Sequence, residues 1–240
     1  LWIYLRANEG NEALLGADLE AARVIYQEIL DQLIALNDCS VNDRIAVIYH
    51  QLGMVAQEKP QLEVAQQHYL KALKIFEDAG DLYSTARGYH QLGIVAYKQR
   101  QFEVAQQYYL KALKIREDTG DLYNAAGDYN QLGMVAQEKR QFGVAQQYYL
   151  KALKIFEDAG DLYSTAIGYH NLGWIAQEQQ QCEPARQYYL KALKIFEDAG
   201  NSHSAARECH HLGNVALLQR QFEVAQQYYF KALKIYEDAG

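Results

Sequence analysis

The chain repeats itself every forty residues, and no other property of its 240 residues limits its fold so severely. The phrase Lys-Ala-Leu-Lys-Ile begins at Lys71, Lys111, Lys151, Lys191 and Lys231, and Leu-Gly begins at Leu52, Leu92, Leu132, Leu172 and Leu212. The stretch from Gln66 to Ala86 recurs from Gln146 to Ala166 with one change, His68 against Tyr148. A period in the range of about 20 to 50 residues denotes an array of thin units that bury their apolar faces against their neighbours.

Each unit reads as two amphipathic helices. Around residue 90 the first is predicted over roughly Leu82–Gln99, with Tyr89, Leu92, Gly93 and Ala96 on one face. The second is predicted over roughly Phe102–Asp118, with Ala105, Tyr109, Ala112, Leu113 and Arg116 in the same rhythm. Arg100-Gln101 is a connection short enough for antiparallel helices. Gly120 is placed to end the second helix in a left-handed conformation, and Asp121 to cap the next helix by accepting an orphan N–H. Gly93 and Ala105 are expected to let two backbones approach, with Tyr89 and Tyr109 filling the space beside them.

These residues resemble the tetratricopeptide repeat. The run Tyr49, Leu52-Gly53, Ala56, Ala65, Tyr69, Ala72 follows that family's order of a large residue, Leu-Gly, small residues and an aromatic, and the leading Tyr recurs as Tyr89, Tyr129 and Tyr169. Cys209 takes its place in the last unit, and Glu77 stands where a helix-ending proline is usual. The forty-residue length is similar to the subclass of kinesin light chains, partner-of-inscuteable-type adaptors and bacterial signalling proteins. The resemblance implies an all-α fold, a right-handed α-solenoid (superhelix) of antiparallel helix pairs with a concave groove lined by first helices. Five units are expected, at 42–81, 82–121, 122–161, 162–201 and 202–240. Residues 1–41 would be a degenerate first unit or a cap. There Leu19, Ala22, Tyr26, Ile29 and Leu30 align with a second helix, Gly10 and Ala13 with a first, and Glu9 replaces the expected Leu.

Comparing the copies separates packing from function. Packing positions barely vary, whereas differences gather on the first-helix face opposite Leu-Gly. One row there reads Met54, Ile94, Met134, Trp174, Asn214. Bulky apolar residues on a face not needed for stacking are candidate anchors for a partner. The next row reads His50, His90, Asn130, His170, His210, flanked by Gln51, Gln91, Gln131, Asn171 and His211. Related proteins use such side chains to hydrogen-bond an extended peptide, and amides and imidazoles both donate and accept. Equally, they could tie adjacent first helices together. Gln57, Gln137 and Gln177 lie on the same face, with Tyr97 at the equivalent position. Arg87, Lys98 and Arg207 there are expected to select acidic side chains. A protein or peptide partner in the groove is the expectation.

Other classes fare poorly. A net charge of −7 disfavours nucleic acid, and Lys74 with its copies is offset by acidic pairs such as Glu77-Asp78. No phosphate-binding loop, HExxH or GxSxG motif is present, and carboxylate pairs that recur in every unit are structural, so no enzyme activity is expected. Histidines spaced one per repeat are too far apart to share a metal ion, and no cofactor is expected. Cys39, Cys182 and Cys209 read as free thiols, the last two as packing fillers. No apolar run is long enough to span a membrane, and the cytoplasm is the default location. Because the chain opens on Leu1 and closes on Gly240 at a repeat end, it reads as a piece of a longer protein. Two alternatives stay open. One, which the resemblance implies, is a sensor or regulatory region beside an NB-ARC or NACHT-type ATPase or a protease. The other is end-to-end self-association through Val224, Ala225, Tyr228 and Leu233 left uncovered at the last unit.

Overall fold

The computed structural model describes residues 2–239, and the readings attached to Leu1 and Gly240 lie outside the described residues. Twelve α-helices and one short 3-10 turn make up its regular structure, and no strand occurs among the described residues. The helices are α1 (Trp2–Leu15), α2 (Leu19–Ala35), α3 (Asn42–Glu58), α4 (Leu62–Ala79), α5 (Leu82–Lys98) and α6 (Phe102–Thr119). They continue as α7 (Leu122–Glu138), α8 (Phe142–Ala159), α9 (Leu162–Glu178), α10 (Cys182–Asp198), α11 (Ser202–Leu218) and α12 (Phe222–Ala239). Two compact units contain them, one spanning Leu1–Gly120 and the other Asp121–Gly240.

The boundaries follow from caps. Gly80, Gly120, Gly160 and Gly200 all have positive φ. Around Gly160 the amide of Asp161 reaches back to the carbonyl of Phe156 at 3.0 Å, closing the last turn. The Asp161 carboxylate then accepts the amide of Ser164 at 3.0 Å, so one dipeptide ends α8 and starts α9. Asp81 and Asn201 accept from Ser84 and Ser204 in the same way.

Between the two helices of a hairpin, one residue adopts a left-handed conformation, and this position holds Arg100, Arg140, Gln180 or Arg220 instead of glycine. Each donates its amide to the carbonyl three residues back, as Arg140 does to Gln137 at 2.9 Å.

Inside each hairpin the glycine of Leu-Gly makes room for a ring. A methyl added to Gly133 would stand 2.5 Å from the ring of Tyr149, and one added to Gly53 would stand 2.6 Å from that of Tyr69. Those tyrosines are fully buried. Gly10 meets Tyr26 in the same manner, so α1 and α2 pair as the later hairpins do. Lysines of the second helix cover tyrosines of the first: Lys71 lies 5.1 Å from the centre of Tyr49, and Lys191 lies 4.8 Å from that of Tyr169.

Within each unit, second helices pack on the next hairpin's first helix: α2 on α3, α4 on α5, α8 on α9 and α10 on α11. Leu73 touches the space beside Gly88, and Leu153 that beside Gly168. Leu73, Leu153 and Leu193 are each 5% exposed, whereas their counterpart Leu233 on α12 is 51% exposed. The expected uncovered end is therefore seen at Leu233, whereas Val224 is no more open than Val64, Val104 and Val144, and Tyr228 is half-buried like Tyr108, Tyr148 and Tyr188, so these two positions do not reflect the end of the array. Ala225 departs from that expectation. It is buried within the α11–α12 hairpin, where its small side chain lies at the same register as the buried Ala65 and Ala145.

Candidate functional site

The rows singled out in the sequence lie on the first helices, and the structure divides them by what they already touch. In the first unit, Met54 packs half-buried against the cluster of Ala56, Tyr69 and Leu92. Gln57 accepts the Tyr69 hydroxyl at 3.4 Å. His50 is buried, its ring 5.3 Å from that of Tyr69. Burial pulls its pKa down to about 4, and the positive charge of Arg87 adds to the effect. His90 packs edge-on to Tyr109 at 5.7 Å, and Tyr97 packs edge-on to Phe102 at the same distance. Ile94 and Arg87 are half-buried, and Lys98 is exposed at the end of α5.

In the second unit the polar row joins neighbouring first helices. Asn171 of α9 donates to Asn130 of α7 at 3.0 Å. His170 of α9 lies 2.9 Å from a carboxylate oxygen of Glu208 on α11, which is fully buried. The His211 ring stacks on Tyr189 and stands edge-on to His170, each at 5.0 Å between centres. Burial depresses the His211 pKa to about 4, with repulsion from His170, His210 and Arg207 acting in the same direction and Glu208 opposing. Arg207 Nε is 3.4 Å from Glu208, so its charge is partly answered within the chain. His210 is exposed beside Tyr229. The helix-linking role holds for Asn130 and His170.

The amide row is also engaged. Gln137 accepts the Tyr149 hydroxyl at 2.9 Å and Gln177 that of Tyr189 at 3.3 Å. Asn214 accepts that of Tyr229 at 2.7 Å. The apolar row needs a correction, because its face does contribute to stacking. Trp174 meets Phe142 of α8 edge-on at 6.1 Å, and both it and Met134 pack half-buried on the core around Tyr149 and Leu172. Trp174 spans from its first helix to the preceding hairpin while keeping one side in the open.

A cavity of about 340 Å³ opens beside Trp174, lined also by Gln137, Glu138, Arg140, Phe142 and Glu178. Glu138 and Glu178 are exposed and end α7 and α9. Arg140 stands 5.8 Å over Phe142. Among the described residues no group of three or more His, Cys, Asp or Glu side chains is placed to hold a metal ion. No helix among them is long and apolar enough to cross a membrane.

The paired helices, the Gly–Tyr contact and the forty-residue register coincide with a family model. That model, the tetratricopeptide repeat, matches residues 44–118 and 120–198. The chain belongs to the tetratricopeptide repeat family. Solved structures with this fold include BtubC (BKLC) from P. vanneervenii, with a TM-score of 0.81 at 21% identity over 92% of each chain. A protein of Podosopora anserina described as a putative kinesin light chain with nearly identical TPR-like repeats aligns at a TM-score of 0.70 and 16% identity, over 82% of this chain and 97% of that one. A Rap protein complexed with competence and sporulation factor aligns at 0.64 and 17% identity, over 99% of this chain and 78% of that one. Comparison with curated proteins gives no significant match.

Four contributors to this tetratricopeptide face escaped the sequence reading. Glu208 occupies a position where two other repeats have Gly88 and Gly168, and an acid replacing a packing glycine was the available signal. Phe142 and Arg140 reach Trp174 across a hairpin, a contact that periodicity along one helix does not register. Asn11 in α1 accepts the Tyr26 hydroxyl at 2.8 Å, and its alignment with Asn214 would have pointed to it.

Proposed function

We propose that this tetratricopeptide array is a non-catalytic, cytoplasmic interaction scaffold whose first-helix face forms a concave groove for an extended segment or helix of a partner protein. The observation that carries the reading is where the copies differ. Core positions such as Tyr69, Tyr109, Tyr149 and Tyr189 are invariant and buried, while the half-open row changes from Met54 and Ile94 to Met134 and Trp174. A row that only stacked would be held as constant as the tyrosines. Met134 and Trp174 are the anchors in the second unit, and Ile94 and Tyr97 in the first, where Arg87 and Lys98 favour acidic side chains. The Rap structure of similar fold holds competence and sporulation factor, which supports a bound factor as a use of this architecture. Losing one good anchor costs about 2 kcal/mol of binding. Pull-down with the array followed by calorimetry should show a loss of that size for Trp174→Ala. Unchanged affinity in that variant would remove the groove assignment.

One observation favours a second reading, end-to-end self-association. Phe222 and Phe230 are 61% and 60% exposed on α12, beside Leu233. Leu233 continues the surface that earlier second helices bury under the next hairpin, and Phe222 stands where Phe142 meets Trp174 of the next hairpin, whereas the counterparts of Phe230 (Leu70, Leu110 and Leu150) are exposed as well. Light scattering over a concentration series should then show growth in mass, and a constant monomer mass would discard this reading.

A further inference from the structure

We infer that this chain pairs with a second copy of itself tail to tail, through the stacking face of α12, and that the assembly closes at two chains. This rests on the self-association reading above and specifies which faces meet.

α12 has the sequence of a second helix with a neighbour, yet its stacking face is open. Phe222, Tyr229, Leu233 and Tyr236 follow one another at seven, four and three residues and so share one stripe of the helix. Tyr236 is 43% exposed, whereas its counterparts Phe76, Phe156 and Phe196 are buried. Tyr229 is half-buried where Tyr69, Tyr109, Tyr149 and Tyr189 are fully buried. A hollow of about 350 Å³ indents this stripe between Leu217, Phe222, Tyr229 and Leu233.

The N-terminal hairpin offers no matching face. Within the array, Leu52 and Val55 share a core with Tyr26 and Leu30 of the preceding second helix, Leu92 and Val95 with Tyr69 and Leu73, and Leu172 and Ile175 with Tyr149 and Leu153. α1 carries Glu9 and Glu12 at those two positions, both exposed, and Glu9 pairs with Arg6. A second copy stacked head to tail in the register of the array would press both carboxylates against Tyr229 and Leu233. Burying charge against apolar side chains is strongly unfavourable, and a polar outer face of this kind caps a repeat array. The apolar tail therefore meets its like, and a face that meets its own copy about a two-fold axis leaves nothing to propagate.

The charges around the stripe fit that symmetry. Glu223 and Lys234 stand eleven residues apart, about three helical turns, on one flank of it. Glu237 lies nearby, and Arg220 stands in the turn before α12; all four are exposed, and none has an ion pair among the described residues. With the two copies of α12 antiparallel, Phe222 of one lies against Leu233 and Tyr236 of the other. Glu223 of each then faces Lys234 of the other, and Glu237 comes beside Arg220. A parallel pairing would set like charges opposite one another.

The test is sedimentation velocity of the whole 240-residue chain over a concentration series. Mass should rise from one chain to two and stop there, with a midpoint on the order of tens of micromolar for a face one helix wide. Leu233→Glu, at a position already open to solvent, should leave the helical content unchanged and weaken pairing at least about tenfold. Glu223→Lys sets like charges opposite each other twice and should weaken it by about threefold to tenfold, and adding Lys234→Glu should restore it. Glu9→Leu/Glu12→Val gives the N-terminal hairpin the face of an internal one and should turn the closed pair into assemblies larger than two chains. Growth past two chains in the unaltered protein overturns the closed pair and leaves self-association standing. So does pairing that survives Leu233→Glu, or a Glu223→Lys loss that Lys234→Glu does not recover. If Glu9→Leu/Glu12→Val still stops at two chains, the carboxylates are not what keeps the N-terminal hairpin apart, and the closed pair is overturned on that ground. A single-chain mass over the whole series discards self-association and this inference with it.

Discussion

Tyr149 donates its buried hydroxyl to Oε1 of Gln137 at 2.9 Å, and the chain keeps such a bond when the acceptor moves along the helix. Tyr189 donates to Gln177 in the same register. In the last hairpin Leu217 stands at the glutamine position, and Tyr229 donates instead to Asn214, three residues earlier. The first hairpin repeats this second solution, with Leu14 at the glutamine position and Tyr26 donating to Asn11. Amide and apolar residue exchange places between two positions one helical turn apart, so a tyrosine oxygen retains an acceptor while the open row gains or loses an apolar residue.

This exchange predicts a compensated pair of mutations. Gln137→Leu removes the acceptor and should destabilise the protein by about 1–2 kcal/mol, the cost of a buried polar group losing its partner. Adding Met134→Asn should recover most of that loss by recreating the Asn214 arrangement. A double-mutant cycle in urea measures the coupling, and additive losses would show that the introduced asparagine and Tyr149 do not meet.

Two glycines of α7 should respond to alanine with opposite signs. Gly133 has the Tyr149 ring 2.5 Å from where a methyl would stand, while nothing lies within 4 Å of one at Gly127. Helix propensity favours alanine at either site by about 0.5–1 kcal/mol. At Gly127 that gain stands alone, and the melting temperature should rise. At Gly133 displacing a buried ring costs about 1–3 kcal/mol, so the clash wins and the melting temperature should fall. Calorimetry of the two variants decides it.

Much of this architecture could be read before the fold was seen. The helix predicted from Leu82 runs to Lys98, and the one predicted from Phe102 runs to Thr119. Such agreement arises because Asp and Gly write the helix ends into the sequence and the repeat writes them several times. The candidate face was less legible. Gln137 looks solvent-directed by periodicity, yet its acceptor role depends on a ring twelve residues away on another helix. Phe142 and Trp174 belong to neighbouring hairpins, on α8 and α9. Residue period identifies the side of a helix but not the long side chain from a neighbour that reaches over it.

Pro60 identifies a weak turn. Its equivalents Arg100, Arg140, Gln180 and Arg220 have φ between 56° and 61° and donate their amides to the carbonyl three residues back. The ring of Pro60 favours a φ of about −65° and it has no amide to donate, so it is ill suited to the left-handed turn of its equivalents. Pro60→Gly should therefore stabilise the α3–α4 hairpin by about 1 kcal/mol or more, glycine's entropy cost being smaller than the strain removed. Hydrogen exchange should slow across α3 and α4, and faster exchange there would show that the proline's rigidity was the larger effect.

The buried histidines set the acid response. His50 and His211 have folded-state pKa values near 4, below the value of about 6.5 expected unfolded. The unfolded chain therefore binds protons first as pH falls, so the stability due to neutral burial is complete above about pH 6.5 and drains away toward pH 4. Tyr69 and Arg87 face His50, and His170, His210, Glu208 and Arg207 surround His211, with Tyr189 stacked on its ring. Other repeats show what the positions tolerate without titrating: Asn130 stands where His50 does, and Gln91 where His211 does. His50→Asn and His211→Gln should each lessen the loss between pH 6.5 and pH 4 by on the order of 1–3 kcal/mol. Carboxylates paired in the folded state contribute their own acid loss, so the comparison is the difference between variant and parent in urea melts across that window. If the two curves stay parallel, His50 and His211 take up their protons in the folded chain as readily as in the unfolded one, and the burial drawn here does not govern the acid limb.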